Sequence, residues 1–539
     1  MKKSAVIFHR HAASDGDLLG RARGYFKLSA VIFRARGYFK MSRPLSVNAF
    51  RPEPISPSDR GSGSLLKVGP GAKDYQGHLS RADLLGDLRG VVGSRPVNHG
   101  AHFLAILFIA ALFSSAAAAA EIKPKRIVTE NGITLLLVEQ HSLPLVSVEA
   151  LIDAGAIYDP NEKAGLAALT ASLLEEGTKK RSAPQISEAV DFIGANLSAS
   201  ADEDFMTADL KVVKKDAEAG LDLLSDILIN PIFDPKEVER VRNNLLGALI
   251  AEKDQPQVIA ERAFRNIIFG NHPYHHPVNG REETVPKITR EEIASFHRDF
   301  YRPNNMILSI VGDLSEKEAT DLVKKYFGKW EKRPVPFPKI NPPSPFRTKK
   351  VELIEKELAQ ATVMLGHVGI ERSNPDYYAV TVMNYILGGG GFSSRMLSDI
   401  RDNRGLVYSI YSRFDAKRQP GHFAVSLQTK SSSANEAIEG VLQEIKKIRS
   451  APVTDDEISE AKAYLVGSFP LRLDTTGKLA GLLSAVEFYR LGLDYLKKYP
   501  EYVNKVTKED VLRVAQKYLH PDAYALVVVG NQNEAKVKQ

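Results

Sequence analysis

Beyond residue 121 the chain alternates short apolar runs with stretches whose apolar residues recur at helical spacing. Residues 135–139 and 146–152 read as strands, 186–193 and 237–250 as amphipathic helices, and 196–212 as two strands. One pattern occurs twice. Residues 288–314 (ITREEIASFHRDFYRPNNMILSIVGDL) and 506–532 (VTKEDVLRVAQKYLHPDAYALVVVGNQ) align without a gap. Thr289 pairs with Thr507, Glu291 with Glu509, Pro303 with Pro521 and Gly312 with Gly530. In each copy the Thr reads as a helix N-cap with acidic residues in the first turn. The Pro cannot continue the helix. The apolar, β-branched run after it (306–311 or 524–529) reads as a buried strand that the Gly ends.

A second echo matches Glu237, Val238, Leu245 and Gly247 with Glu457, Ile458, Leu465 and Gly467. Similarity at so long a period means two related domains rather than a solenoid. Between them, 334–346 opens PVPFPKINPPSP, whose prolines favour an extended linker. The reading is α+β: two duplicated domains, 122–333 and 347–537, each a mainly antiparallel sheet covered by helices.

The front of the chain reads differently. Residues 103–113 (FLAILFIAALF) have the length of a signal-peptide core. Small residues follow, and Ala118-Ala119-Ala120 fits a signal-peptidase site. The run is short for a membrane span unless 114–120 is counted in. The expectation is a signal peptide at 98–120 and a periplasmic protein, with membrane association as the alternative. Upstream, RARGYFK occurs at 21–27 and again at 34–40, and SAVIF at 4–8 and 29–33. Residues 1–97 read as an over-extended gene start, with the true start near Val92 or Val97, or as a disordered extension.

Charge changes one inference. The chain's net charge is +7, but residues 1–120 hold 17 basic and 7 acidic residues, leaving 55 and 58 for the rest. The body therefore has no electrostatic case for binding nucleic acid. There is no cysteine, which excludes disulfides, thiolate nucleophiles and cysteine zinc sites.

Four stretches resemble the pitrilysin/insulinase zinc peptidases: NGITLLLVEQHSLPLVSVEALIDAGAIYDPNEKAGLA, EEGTKKRS, HPYHHPVNGREETVPKITREEIASFHRDFYRPNNMILSIVGD and LGGGGFSSRMLSDIRDNRGLVYSI. The resemblance spans essentially all of 122–537. In zinc-bearing members a helix carries His-x-x-Glu-His, two histidines binding zinc and the glutamate acting as base. Here the first His falls on Ala168, the Glu on Ala171 and the second His on Ser172. The further glutamate ligand of the family falls at Ala248. The resemblance therefore implies a zinc-less subunit that binds no metal itself. Zinc is expected in a homologous HxxEH-bearing partner, forming a heterodimer. The resemblance further implies a peptide substrate and no activity in this chain alone.

Arg401 and Tyr408 stand seven apart in RDNRGLVY. The resemblance implies that they act in trans, holding the substrate backbone and donating to the oxyanion. Directed donors suit that work. Spacing alone favours a surface arginine and a core tyrosine on a helix-to-strand turn; the resemblance reverses that preference. Gly389, Gly390, Gly391, Phe392 and Ser394 lie in a glycine-rich stretch. It has no Gly-Lys-Ser/Thr ending, so it is no phosphate-binding loop. In the zinc-less processing-peptidase subunit such a loop guides substrate; a turn needing positive φ explains it as well. Two rivals stand beside the peptidase subunit. One is a non-catalytic scaffold or peptide-binding protein of the same fold. The other is a replacement metal site at His272, His275 and His276.

Overall fold

The computed structural model describes residues 122–345 and 347–538. The segments read as an extension (1–97) and a signal peptide (98–120) lie outside the described residues.

The first half contributes six strands, β1 (Lys125–Val128), β2 (Thr134–Glu139), β3 (Leu145–Ile152), β4 (Asn196–Ala201), β5 (Met206–Val213) and β6 (Met306–Gly312). They form one sheet in the order β1-β2-β6-β3-β5-β4. The second half contributes β7 (Lys350–Glu355), β8 (Gln360–Val368), β9 (Val407–Asp415), β10 (His422–Lys430) and β11 (Ala525–Gly530), in the order β7-β11-β8-β10-β9. Removing β1 makes the two orders identical, and the one parallel pairing, β2 with β6 or β7 with β11, falls at the same place. The duplication read from two sequence echoes thus extends through the whole topology. The fold is α+β, as expected, with each sheet covered by helices.

Seven helices belong to the first half: α1 (Leu166–Ser172), α2 (Ala183–Phe192), α3 (Ala217–Ile229), α4 (Pro235–Glu252), α5 (Pro256–Phe269), α6 (Arg290–Phe300) and α7 (Glu316–Phe327). The second half adds α8 (Tyr377–Asn384), α9 (Ala434–Ser450), α10 (Asp455–Ser468), α11 (Thr476–Phe488), α12 (Tyr495–Lys505) and α13 (Lys508–Tyr518). The N-caps behave as read. Thr289 and Thr507 each close a capping box, with Glu292 and Asp510.

Two helices cross over. α5 packs on β8 and β11 of the second sheet, and α11 packs on β3 and β6 of the first. This explains why residues 135–138 of β2 and 525–529 of β11 are apolar without alternation. Leu135 and Leu137 face the first half's own helices, while Leu136 and Val138 meet Leu479, Ala480 and Leu483 of α11. In β11, Leu526 and Val528 face inward, and Ala525, Val527 and Val529 meet Ala260, Phe264 and Ile268 of α5.

The halves also meet at their hairpin turns. The β4–β5 turn carries Asp202, Glu203 and Asp204; the corresponding β9–β10 turn carries Lys417 and Arg418. Lys417 Nζ lies 2.9 Å from Glu203. Arg418 donates to both oxygens of Asp153, at 2.9 and 2.5 Å, and its backbone N–H donates to Asp204 at 2.8 Å. Tyr274 and Tyr489 donate to the same Asp204. Opposite charges on equivalent turns therefore bolt the halves together.

Residues 331–345 hold no helix or strand, in keeping with their prolines. No helix among the described residues is long and apolar enough to cross a membrane.

Candidate functional site

α1 starts where Asp159 accepts the amides of Gly165 and Ala167, at 2.8 and 2.9 Å. Gly165 takes φ of 100°, a left-handed turn that favours glycine. The helix presents Ala168 and Ala171, both buried, and an exposed Ser172. Ala248 lies exposed on α4. The four positions thus carry three methyls and one hydroxyl where the family's zinc site holds imidazoles and carboxylates. The nearest acids are already engaged. Glu176 pairs with Arg240 of α4, and Glu175 accepts the backbone N–H of Ala199 at 3.1 Å. Glu252, at the end of α4, pairs with Arg262 at 2.6 Å.

The histidine loop does not converge on a point. His272 and His276 are buried, and His275 donates from Nδ1 to the His272 carbonyl at 2.9 Å. His272 accepts the Tyr274 amide on Nδ1, and its ring packs against Tyr274 and Phe269. Burial pushes His272 and His276 down to about 4, aided by His275 and, at His276, by Arg281 and Arg265. Burial and the nearby guanidinium groups of Arg265 and Arg281 make this an adverse setting for a metal ion. Among the described residues no group of three or more His, Cys, Asp or Glu is placed to hold one.

In the second half, two π-helical turns frame the other candidate residues. Tyr385–Gly389 continues α8, and Leu397–Asn403 carries Arg401. Such turns recur at functional sites. The glycines of this stretch have separate causes. A Cβ on Gly388 would meet Ser412 Oγ at 2.6 Å, one on Gly389 the Asn384 amide at 2.6 Å, and one on Gly390 the Tyr385 carbonyl at 2.7 Å. Gly391 has open space but φ of +60°. Packing needs the first three and backbone conformation the fourth. Ser394 is buried and donates to the Gly391 carbonyl at 2.7 Å, closing the turn.

Phe392 is 77 % exposed, and the Arg401 guanidinium sits 5.3 Å above its ring. No acid pairs with Arg401 among the described residues. Arg404, by contrast, is tied to Asp399 at 2.6 Å and to Gln443.

Tyr408 is not a core tyrosine: it is 77 % exposed. The cause is a β-bulge. Gln428 faces Ser409 and Thr429 faces Val407, so Tyr408 is the extra residue and is turned outward. Bulges re-aim side chains in this way. The structure therefore brings Arg401 together with the glycine-rich stretch and leaves the hydroxyl of Tyr408 facing solvent.

Sequence comparison fits this geometry. Residues 134–281 match the insulinase (peptidase family M16) model and 287–465 the peptidase M16 inactive domain. An uncharacterized zinc protease of Streptomyces coelicolor is 30% identical over 356 residues, 64% of this chain and 76% of that one. The chain belongs to the peptidase M16 family. A non-peptidase homolog of Helicobacter pylori is 23% identical, covering 76% of this chain and 94% of its own. The crystal structure of a peptidase M16 inactive domain from Pseudomonas fluorescens superposes with a TM-score of 0.72 at 29% identity, covering 76% of this chain and 98% of that one. With alanine or serine at every position of the zinc motif, this chain is a zinc-less, inactive-type M16 homologue.

Sequence reasoning missed the use of Glu175 and Glu176, and it missed the charged hairpin turns. For the turns the sequence echoes gave no signal: at their offset of 218, residues 202–204 fall on Pro420, Gly421 and His422 rather than on Lys417 and Arg418.

Proposed function

We propose that this chain is the zinc-less subunit of a periplasmic, two-subunit metallopeptidase that degrades or processes peptides. A homologous partner supplies His-x-x-Glu-His, zinc and the activated water. This chain supplies Arg401 and Tyr408, with the Gly389–Phe392 stretch and Ser394 shaping the substrate path. The observation that carries the reading is the bulge at Tyr408. It turns a phenol out of the sheet, largely exposed, on the strand that follows the π-helical segment carrying Arg401, which has no acid partner among the described residues. A phenol donates one directed hydrogen bond, suited to a carbonyl oxygen acquiring negative charge. The guanidinium suits peptide carbonyls.

The test is peptide hydrolysis by the purified chain alone, by an HxxEH-bearing relative alone and by the mixture. Activity is expected only in the mixture. Tyr408→Phe is expected to lower kcat by about 10²-fold or more, the usual effect of losing one transition-state donor. Arg401→Ala is expected to act on both kcat and KM. Full activity in the double variant, or none in any combination, would put the scaffold reading first.

A further inference from the structure

A cavity of about 700 Å³ lies between the C-terminal end of α5 and the proline-rich linker. That volume is in the range of small-molecule sites. One wall is residues 267–273; the other is residues 339–345 with Arg347, Thr348 and Lys350. Ile268, Phe269 and Pro343 are buried and Ile340 is half-buried, so part of the lining is apolar.

The charged lining has one sign. It holds Lys339, Arg347 and Lys350 and no Asp or Glu. Lys339 and Arg347 are exposed, and neither pairs with an acid among the described residues. The body of the chain carries slightly more acids than bases, so three cations without one acid depart from its average.

His272 adds a directed donor. It lines the cavity, is 6 % exposed and caps the short turn Pro273–His275. Its Nδ1 accepts the Tyr274 N–H at 3.1 Å, so the neutral ring carries its proton on Nε2. Nε2 is buried and has no hydrogen-bond partner. Buried donors are rarely left unpaired, and a ligand oxygen would satisfy this one.

Two features choose among anions. Inorganic phosphate makes no use of the apolar wall. The cavity also sits at the C-terminal end of α5, where the helix dipole disfavours a dianion. A monoanion with an apolar body suits both, and a guanidinium presents paired donors to a carboxylate.

We propose that this cavity binds a carboxylate with an apolar body, either the C-terminal residue of a peptide or a free acid of that size, through Arg347, Lys339 and the Nε2–H of His272. The inference does not rest on the two-subunit reading, because binding here needs neither a partner nor hydrolysis.

The experiment is titration calorimetry on the full chain. The probes are N-acetyl-leucine, its neutral amide, an unstructured hexapeptide ending in a leucine carboxylate, and inorganic phosphate. Both carboxylates are expected to bind. The amide should bind about tenfold more weakly than its acid or worse, the effect of losing a charge-assisted bond. Phosphate should bind more weakly than either carboxylate. His272→Asn keeps a side-chain oxygen for the Tyr274 N–H but loses the Nε2 donor, and should weaken carboxylate binding about tenfold. Lys339→Ala/Arg347→Ala changes only exposed side chains; it should weaken binding by a similar factor and leave the melting temperature unchanged. If His272→Asn does not fold, this double variant decides alone. Tighter binding of the hexapeptide would identify a chain terminus as the source, and tighter binding of N-acetyl-leucine a free acid. Equal binding of acid and amide, phosphate binding above both carboxylates, or parental affinity in Lys339→Ala/Arg347→Ala overturns the proposal. So does the absence of binding by either carboxylate at millimolar concentration.

Discussion

A histidine buried as a neutral ring resists protonation, and this chain holds several. His367 is almost wholly buried; its Nδ1 lies 2.9 Å from the Val368 carbonyl, while its Nε2 accepts the His520 amide at 3.3 Å. A second proton on Nε2 would face that donor. Burial holds His367 down at about 3 and His276 at about 4, against the usual 6.5. Below pH 6.5 the unfolded chain takes up protons that the folded chain refuses, so stability falls as pH drops from 6.5 toward these values. Each histidine contributes on the order of 1 to 3 kcal/mol to that loss. Urea melts at pH 7, 5.5 and 4.5 are expected to show a steady decline. His276→Met should lessen it, because both His276 ring nitrogens are buried without hydrogen-bond partners among the described residues. An equal pH dependence in His276→Met and the parent chain would contradict this account. At the same scale, Tyr408 shows why spacing left its role open. A seven-residue interval from Arg401 says nothing of a bulge, and the bulge decides whether the phenol is core or exposed.

Among the elements, α11 is the most informative. Its apolar side, Leu479, Ala480 and Leu483, packs on the first sheet, and hydroxyl pairs Ser147–Thr476 and Ser309–Ser484 flank it at 2.7 and 2.8 Å. Leu483→Ala should cost about 2 to 5 kcal/mol, as for other buried leucines, measured by chemical denaturation. Beneath α11 lies Glu149, directly opposite Asp209 in the β3–β5 register. Burial, and then the Asp209 charge, push Glu149 up to about 7, while a bond to Ser484 pulls the other way. A carboxyl raised in the folded state binds its proton more tightly there than in the unfolded chain. Stability therefore falls as pH rises from about 4.5 to 7. Glu149→Gln should stabilise the protein at pH 8 and matter little at pH 4.5; the reverse order of melting temperatures would refute the assignment. The crossing of α11 was not legible in the chain. Its periodicity marks an amphipathic helix but not which of two similar sheets it covers.

For the whole molecule, the charged joint between the hairpin turns fixes how the two halves face each other. Arg418 spans Asp153, Tyr158 and the turn itself. Arg418→Ala should cost about 2 to 4 kcal/mol, somewhat less than a fully buried pair because the guanidinium is one-third exposed. A double cycle with Asp153→Ala separates the pair from its surroundings. An additive result would mean that the joint contributes nothing specific.

By itself the sequence determined the duplication, the fold class, the loss of the zinc ligands and the N-caps. These depend on local periodicity, on residue chemistry at fixed spacing and on hydrogen bonds that close within a few residues. Tertiary structure decided the rest. It set which sheet each crossing helix covers, the meeting of an acidic turn with a basic one, the outward turn of Tyr408 and the capping of β4 by Glu175. Each of these joins residues far apart in the chain, or depends on strand register, and neither distance nor register is encoded in the composition or period of any one segment.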